Sequence, residues 1–249
     1  MMIYAILSVN KDSEKLNVLL GGIKGILGAD LSVVNFDNVA VIGSETKRAE
    51  LMADKSNAIE YAGVIESLAQ HFTLLPMRYG SIMESTDAII QMLGRNYSEI
   101  QQNLLKVENM WEFGLKVFCD PEKLKADLSR KSDIPPSCLA EPDPELQHSI
   151  YRDWVNKKLK EHRNEEMLLT YVNSVIAEIT GYLTGLNAVN KFKKMANTSN
   201  IIDAVFLLDK DKKDALIHAV SDLQNQHGGL SFILTGPWPP YNFVDFTVK

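Results

Sequence analysis

Apolar and polar positions change their period several times along the first third of the chain. Ile3 to Val9 is a short apolar run that predicts a strand, and Ser13 to Leu20 predicts a helix stopped by Gly21-Gly22. Leu31 to Phe36 and Val39 to Ile42 read as two strands separated by Asp37-Asn38, a pair suited to a hairpin turn. Ala58, Ile59, Ala62, Ile65, Leu68, Ala69 and Phe72 recur at helical spacing. They predict a helix, clearest from Asn57 to His71, with one apolar face. Phe72 to Met77 reads as a further strand. The order β-α-β-β-α-β is that of a ferredoxin-like sandwich, an antiparallel sheet carrying its helices on one face.

From Thr86 to Trp111, a single stripe of Ile89, Leu93, Tyr97, Ile100, Leu104, Val107 and Trp111 predicts a helix that bridges into a second unit. Leu115 to Phe118 reads as a strand, Pro121 opens a short helix, and the prolines of Ser132 to Pro144 mark a loop. Glu145 to Leu183 is long and helical. Its expected inward positions are Ile150, Trp154, Leu168, Val172, Val175, Ile179 and Tyr182, with a break near Asn164, where apolar residues thin out. Ile201 to Leu208 is a strand, Lys212 to Gln226 a helix and Leu230 to Leu234 a strand. Asp209 and Asp211 stand as N-cap candidates before that helix, and Gly228-Gly229 end it. The expected fold class is α+β in two domains with antiparallel sheets. Residues 1–110 form an N-terminal α+β domain with a bridging helix, and 111–249 a ferredoxin-like domain with a long helical insertion.

Composition narrows the function more than the fold. Hydrophobic residues make up 45% of the 249 positions and charged residues 23%, the balance of a globular protein. A net charge of −6 disfavours a general nucleic-acid binder, because neutralising phosphates needs a basic surface. No apolar stretch approaches bilayer length, and Met1-Met2-Ile3-Tyr4 lacks the basic start of a secretory signal. No membrane partner is expected. Cys119 in an apolar run and Cys138 in a proline-rich loop suit a reducing cytoplasm, where the protein is expected to reside.

The usual catalytic patterns fail one by one. His71, His148, His162, His218 and His227 have no metal-ligand partner at helical spacing. His227-Gly228-Gly229 lacks any accompanying Gly-x-Ser-x-Gly elbow, and Asp209-x-Asp211 lacks the glycine and closing glutamate of a calcium loop. Gly21-Gly22-Ile23-Lys24-Gly25 lacks phosphate-loop spacing. Lys157, Lys158, Lys160 and Arg163 share their helix with Glu161, Glu165 and Glu166, the mark of a solvated face. No catalytic residue, metal or cofactor is expected.

Two segments remain. In Leu74-Leu75-Pro76-Met77-Arg78-Tyr79-Gly80, Pro76 points to a sheet edge or bulge and Gly80 to a positive φ. Arg78, if buried, would need a carboxylate or carbonyl cluster, for which Glu66 is a candidate. It reads either as a structural clamp at the domain junction or as an anchor for a partner. In Thr235-Gly236-Pro237-Trp238-Pro239-Pro240-Tyr241-Asn242-Phe243, Gly236-Pro237 signals a turn after the strand. Three prolines in four positions forbid a central strand. Trp238 and Tyr241 either seal the domain's own core or form a preorganised surface for an apolar partner.

These residues resemble the gas vesicle protein F/L family. His71 before Leu75, Pro76, Arg78, Tyr79 and Gly80 matches that family's Leu-Pro-x-Arg-(Phe/Tyr)-Gly pattern. Thr235 through Tyr241 with Phe243 matches its terminal motif, and Asp203 to Asp209 and Leu115 to Phe118 match two of its strands. His148 to Trp154 departs from the Gly-(Arg/Lys)-x-Tyr-Leu-Leu pattern that opens the long helix in many members. The resemblance implies a non-enzymatic accessory protein of gas vesicle assembly. Its implied partners are the small hydrophobic shell subunit and other gas vesicle accessory proteins, met through Leu75, Pro76, Arg78, Tyr79, Trp238, Pro239, Pro240 and Tyr241. Two other classes fit the same architecture. A ferredoxin-like small-molecule sensor or enzyme would need a deep pocket with convergent polar groups. An RNA-binding module would need basic flanks, against the acidic balance.

Overall fold

A computed structural model describes residues 1–9, 13–45, 55–131, 150–193 and 199–244. The expected proline-rich loop Ser132 to Pro144, with Cys138, and His148-Ser149 of the departing motif lie outside these residues.

The first sheet contains β1 (Met2–Ser8), β2 (Leu31–Phe36), β3 (Val39–Ser44) and β4 (Leu74–Pro76), in the order β2-β3-β1-β4. All three pairings are antiparallel. Helices α1 (Ser13–Gly21) and α2 (Lys55–Ala69) complete the β-α-β-β-α-β order, so the ferredoxin-like expectation holds for this sheet. Asp37, at φ 48°, makes the tight β2–β3 hairpin. Tyr4 is an extra residue in β1, because Ile3 pairs with Gly43 and Ala5 with Ile42. Met2, Tyr4, Leu7, Ile42, Ile65 and Leu68 lie in one core between sheet and helices. Each such side chain contributes about 1.5–3 kcal/mol by leaving water.

Helix α3 spans Thr86–Lys106, with Ser85 as its N-cap: the side chain accepts a hydrogen bond from Ala88 N at 3.1 Å. Its expected extension to Trp111 is not observed. Asn109 adopts φ 57°, and β5 (Met110–Cys119) takes Trp111 into a sheet. That strand starts five residues before the expected Leu115.

The second sheet has the order β6-β7-β5-β8, with β6 (Val189–Lys193), β7 (Asn200–Asp209) and β8 (Leu230–Trp238). Numbered within its own repeat, this is the strand order of the first sheet again. Helices α4 (Pro121–Lys131), α5 (Ile150–Gly185) and α6 (Lys213–Gln226) accompany it. The expected break near Asn164 does not occur, and α5 is continuous over 36 residues. Its inward stripe is Val172, Val175, Ile179 and Leu183; Tyr182 is 36% exposed and Trp154 55%. A 3-10 turn, Lys210–Lys212, precedes α6, and Asp209 makes no side-chain cap there.

The chain packs as two compact units. The first comprises Met1–Phe113, Phe206–Lys213 and Thr235–Lys249; the second comprises Gly114–Val205 and Asp214–Leu234. No helix among the described residues is long and apolar enough to cross a membrane.

Candidate functional site

Both distinctive segments belong to the first unit, so their surroundings are described there. Strand β4 lies at the sheet edge, where the missing N–H of Pro76 interrupts no central ladder. Leu75 is 0% exposed and Pro76 is buried too. The chain then emerges: Arg78 is exposed, Tyr79 is half-buried, and Gly80 takes φ 82°. Because Arg78 is solvated, the condition under which Glu66 was a candidate partner, burial of the guanidinium, does not arise.

Tyr61 of α2 organises this exit. Its hydroxyl lies 2.9 Å from Ile3 O, 2.9 Å from Met77 O and 3.1 Å from Arg78 O. One donated proton thus serves carbonyls of β1 and of the segment leaving β4. The Tyr61 ring stacks on Tyr4 at 5.0 Å and meets the edge of Tyr79 at 5.3 Å, forming a ladder of three tyrosines. At its inner end, Tyr4 Oη accepts from Ile26 N at 2.9 Å and bonds with Ser44 Oγ at 2.9 Å. A Cβ on Gly25 would stand 2.5 Å from that hydroxyl, so a side chain there is excluded.

The terminal segment is held from several sides. β8 does not stop at Leu234 as expected but continues through Gly236 and Pro237 to Trp238 as an edge strand beside β5. The Gly236-Pro237 peptide is cis. Gly236 has φ 110°, and a Cβ there would lie 2.8 Å from Glu112 O, so only glycine allows this approach. Beyond the strand, Tyr241 N donates to Pro239 O at 2.8 Å and Phe243 N to Pro240 O at 3.3 Å. The buried Glu112 carboxylate accepts from Asn242 N at 2.7 Å and from Asn242 Nδ2 at 2.5 Å. Lys106 Nζ donates to Phe243 O at 2.9 Å, and Phe243 is 0% exposed. Pro239 and Pro240 are buried, whereas Trp238 and Tyr241 each keep 41% of their surface in solvent.

The two segments approach each other at Tyr61. Burial, then the Tyr241 and Tyr4 phenols, push the Tyr61 phenol far above its ordinary range. Desolvation of the Tyr241 hydroxyl, despite the exposed ring, together with the Glu66 and Glu112 carboxylates, raises that phenol to about 12. Both are neutral hydrogen-bonding groups at neutral pH. Close by, Lys210 Nζ sits 4.3 Å from the Trp111 ring centroid and donates to Ala69 O at 3.0 Å, at the C-terminus of α2. Burial lowers its pKa.

Of the eight residues proposed from sequence, Arg78, Trp238 and Tyr241 are exposed and Tyr79 partly so. Leu75, Pro76, Pro239 and Pro240 form the support beneath. The supporting polar residues Tyr61, Lys106, Glu112 and Lys210 escaped the sequence reading. An acid inside the strand-like run Met110–Cys119 was the one available signal, since a buried carboxylate demands a partner.

In the second unit, His227 serves as a structural link. In the tautomer protonated on Nε2, it donates to Glu178 at 2.9 Å and accepts from the Tyr171 hydroxyl at 2.9 Å. Among the described residues, no group of three or more His, Cys, Asp or Glu could hold a metal ion.

Comparison with known proteins covers the whole chain. The model of the family described as gas vesicle synthesis protein GvpL/GvpF matches residues 1–245. Gas vesicle protein L of Haloferax mediterranei is 24% identical over 204 residues, which are 76% of this chain and 62% of that protein's length. Gas vesicle protein F1 of Halobacterium salinarum is 20% identical over 230 residues, 91% of this chain and 87% of its own. The fold is shared with the crystal structure of GvpF from Anabaena sp., with a TM-score of 0.75 and 19% identity over 99% of this chain and 96% of that one. GvpF from Microcystis aeruginosa gives a TM-score of 0.74 and 16% identity, covering 98% of each chain. With the family match running from the first strand past the Trp238–Tyr241 segment, this chain belongs to the gas vesicle synthesis protein GvpL/GvpF family.

Proposed function

We propose that this protein serves gas vesicle assembly as a non-enzymatic binder of the small hydrophobic shell subunit, helping it to join the growing wall. A role in gas vesicle assembly follows from the family; the shell subunit as partner is the added step. Before incorporation, a wall-forming subunit exposes apolar surface and unpaired strand edges, both of which promote aggregation. A protein that covers them transiently needs apolar rings held at its surface, with their ordering cost already met in the free state. The observation that carries this reading is the contrast between Trp238 and Tyr241, each 41% exposed, and the buried Pro239, Pro240 and Phe243 that fix their backbone. Tyr79 and Arg78 add a third ring and a guanidinium suited to carbonyls or a carboxylate.

The test is a double replacement, Trp238→Ala with Tyr241→Ala, in a pull-down against the shell subunit. The expected result is a variant with unchanged circular dichroism whose capture falls at least tenfold. Undiminished capture by that folded variant rejects the strip as the contact.

A further inference from the structure

At the end of the first sheet away from Arg78, polar side chains from four segments converge on one small hollow. Ser8 closes β1, Asn38 sits in the β2–β3 hairpin and Thr73 precedes β4, while Gln101 belongs to α3 and Glu108 to the turn after it. The hollow measures about 140 Å³, with the buried Val39 and Leu104 in its lining and Leu105, 70% exposed, at its rim. Small-molecule sites usually enclose about 300–1,000 Å³. This one has the size of a single side chain.

Its walls are fixed by the fold. Ser8 N donates to Thr73 O at 3.0 Å and Val9 N to Asn38 O at 3.0 Å, which ties three chain segments together. Gln101 Nε2 donates to Tyr97 Oη at 2.7 Å, and the Tyr97 ring meets the edge of Phe36 at 5.7 Å, so the carboxamide is held with its oxygen still able to accept. Asn109 at φ 57° turns the chain directly after Glu108, and Glu108 N reaches Leu105 O at 3.4 Å, which keeps Glu108 beside the last turn of α3. Among the described residues, the side chains of Ser8, Asn38, Thr73 and Glu108 have no hydrogen-bond or ion-pair partner in the protein.

The lining sets the charge of a ligand. Among the described residues, Glu108 is the only ionisable group that lines the hollow, and the C-terminal end of α3 adds partial negative charge beside it. Lys106, the basic residue of that last turn, is committed elsewhere, donating to Phe243 O at 2.9 Å. We infer that this hollow receives the guanidinium of an arginine carried by another polypeptide. A carboxylate accepts a guanidinium as a two-pronged fork, and the remaining N–H groups of that planar donor suit the carboxamide and hydroxyl oxygens around it. A long cationic side chain also lays its alkyl stem on apolar surface while its head stays among polar groups. Exposed Leu105 supplies that surface, which an inorganic cation would not use. The site is independent of the Trp238–Tyr241 strip and stands whether or not that strip binds the shell subunit.

The experiment follows the side-chain carboxamide signals of Asn38 and Gln101 by NMR in full-length protein while the blocked peptide Ala-Leu-Arg-Ala is added. Saturable shifts are expected, with binding at least tenfold tighter than that of the same peptide carrying citrulline, a neutral isostere of arginine. Glu108→Gln should weaken the arginine peptide at least fivefold. Glu99→Gln, at an exposed position of the same helix, should leave it unchanged. Shifts that do not saturate, equal binding of the citrulline peptide, or unchanged affinity in Glu108→Gln each overturn the proposal. An equal loss in the two variants does so as well, by showing only diffuse attraction between charges. So does equally tight binding of N-acetyl-arginine amide alone, which would make the ligand a free guanidine and not a partner's side chain.

Discussion

At the scale of single residues, the surface strip depends on groups whose partners lie far away in sequence. Glu112 and Asn242 are separated by 130 positions, so no local pattern announces their bond. Tyr61 was passed over because the predicted stripe of its helix ran through Ala58 and Ile59, both exposed in the structure, whereas the buried face runs through Tyr61, Ile65 and Leu68. Pro76, Gly80 and the proline run were legible, because their constraints on φ and on hydrogen bonding are local and act in any context. Tyr241 yields a test by pH. Its folded-state pKa of about 12 lies above the ordinary value of 10. The neutral phenol is therefore favoured by the fold: its stabilising share is complete below pH 10 and is lost as pH rises towards 12. Urea midpoints at pH 9 and pH 11 should converge less for wild type than for Tyr241→Phe, which has no proton to lose. Equal losses in the two proteins would mean that Tyr241 is not desolvated as described.

Elements were read best where the period was clean and the ends carried turn residues. The β2–β3 hairpin is such a case, with Asp37-Asn38 at its tip. The end of α3 was missed because Val107 and Trp111 continue its stripe by chance, while Asn109 at φ 57° closes the helix. β6 was missed because Val189 and Phe192, three residues apart, set up no alternation and are separated by Asn190 and Lys191; they remain 47% and 37% exposed on an edge strand. The supposed break in α5 rested on scarce apolar residues. A solvated helix holds itself by pairs such as His162 and Glu166, 3.5 Å apart at i and i+4, as well as by burial. The start of α3 is more conventional. Replacing Ser85 by alanine should cost about 1 kcal/mol of stability, read as a lower urea midpoint with an unchanged m-value. No change would show that Ala88 N finds another acceptor.

For the whole molecule, each unit must be considered as the sum of its separated segments. The first unit takes in Thr235–Lys249 as well as the first sheet, so a substitution near the C-terminal segment should be felt at the opposite end of the sequence. Asn242→Ala removes a donor from the buried Glu112 carboxylate, at a cost of about 1–3 kcal/mol. Hydrogen exchange should quicken at β1 and β3, with the α5 amides from Val172 to Leu183 unaffected. Equal acceleration in both units would contradict the separation into two compact bodies.

The return of that late segment also has a consequence in time. Asn242 follows Glu112 by 130 residues, a stretch that a ribosome adding about 5–20 residues per second takes roughly ten seconds to make. Through that interval the nascent protein has a carboxylate without its amide donors and a receptacle without Phe243. The aromatic strip therefore cannot take its supported form until Asn242 and Phe243 have followed Glu112 out of the ribosome.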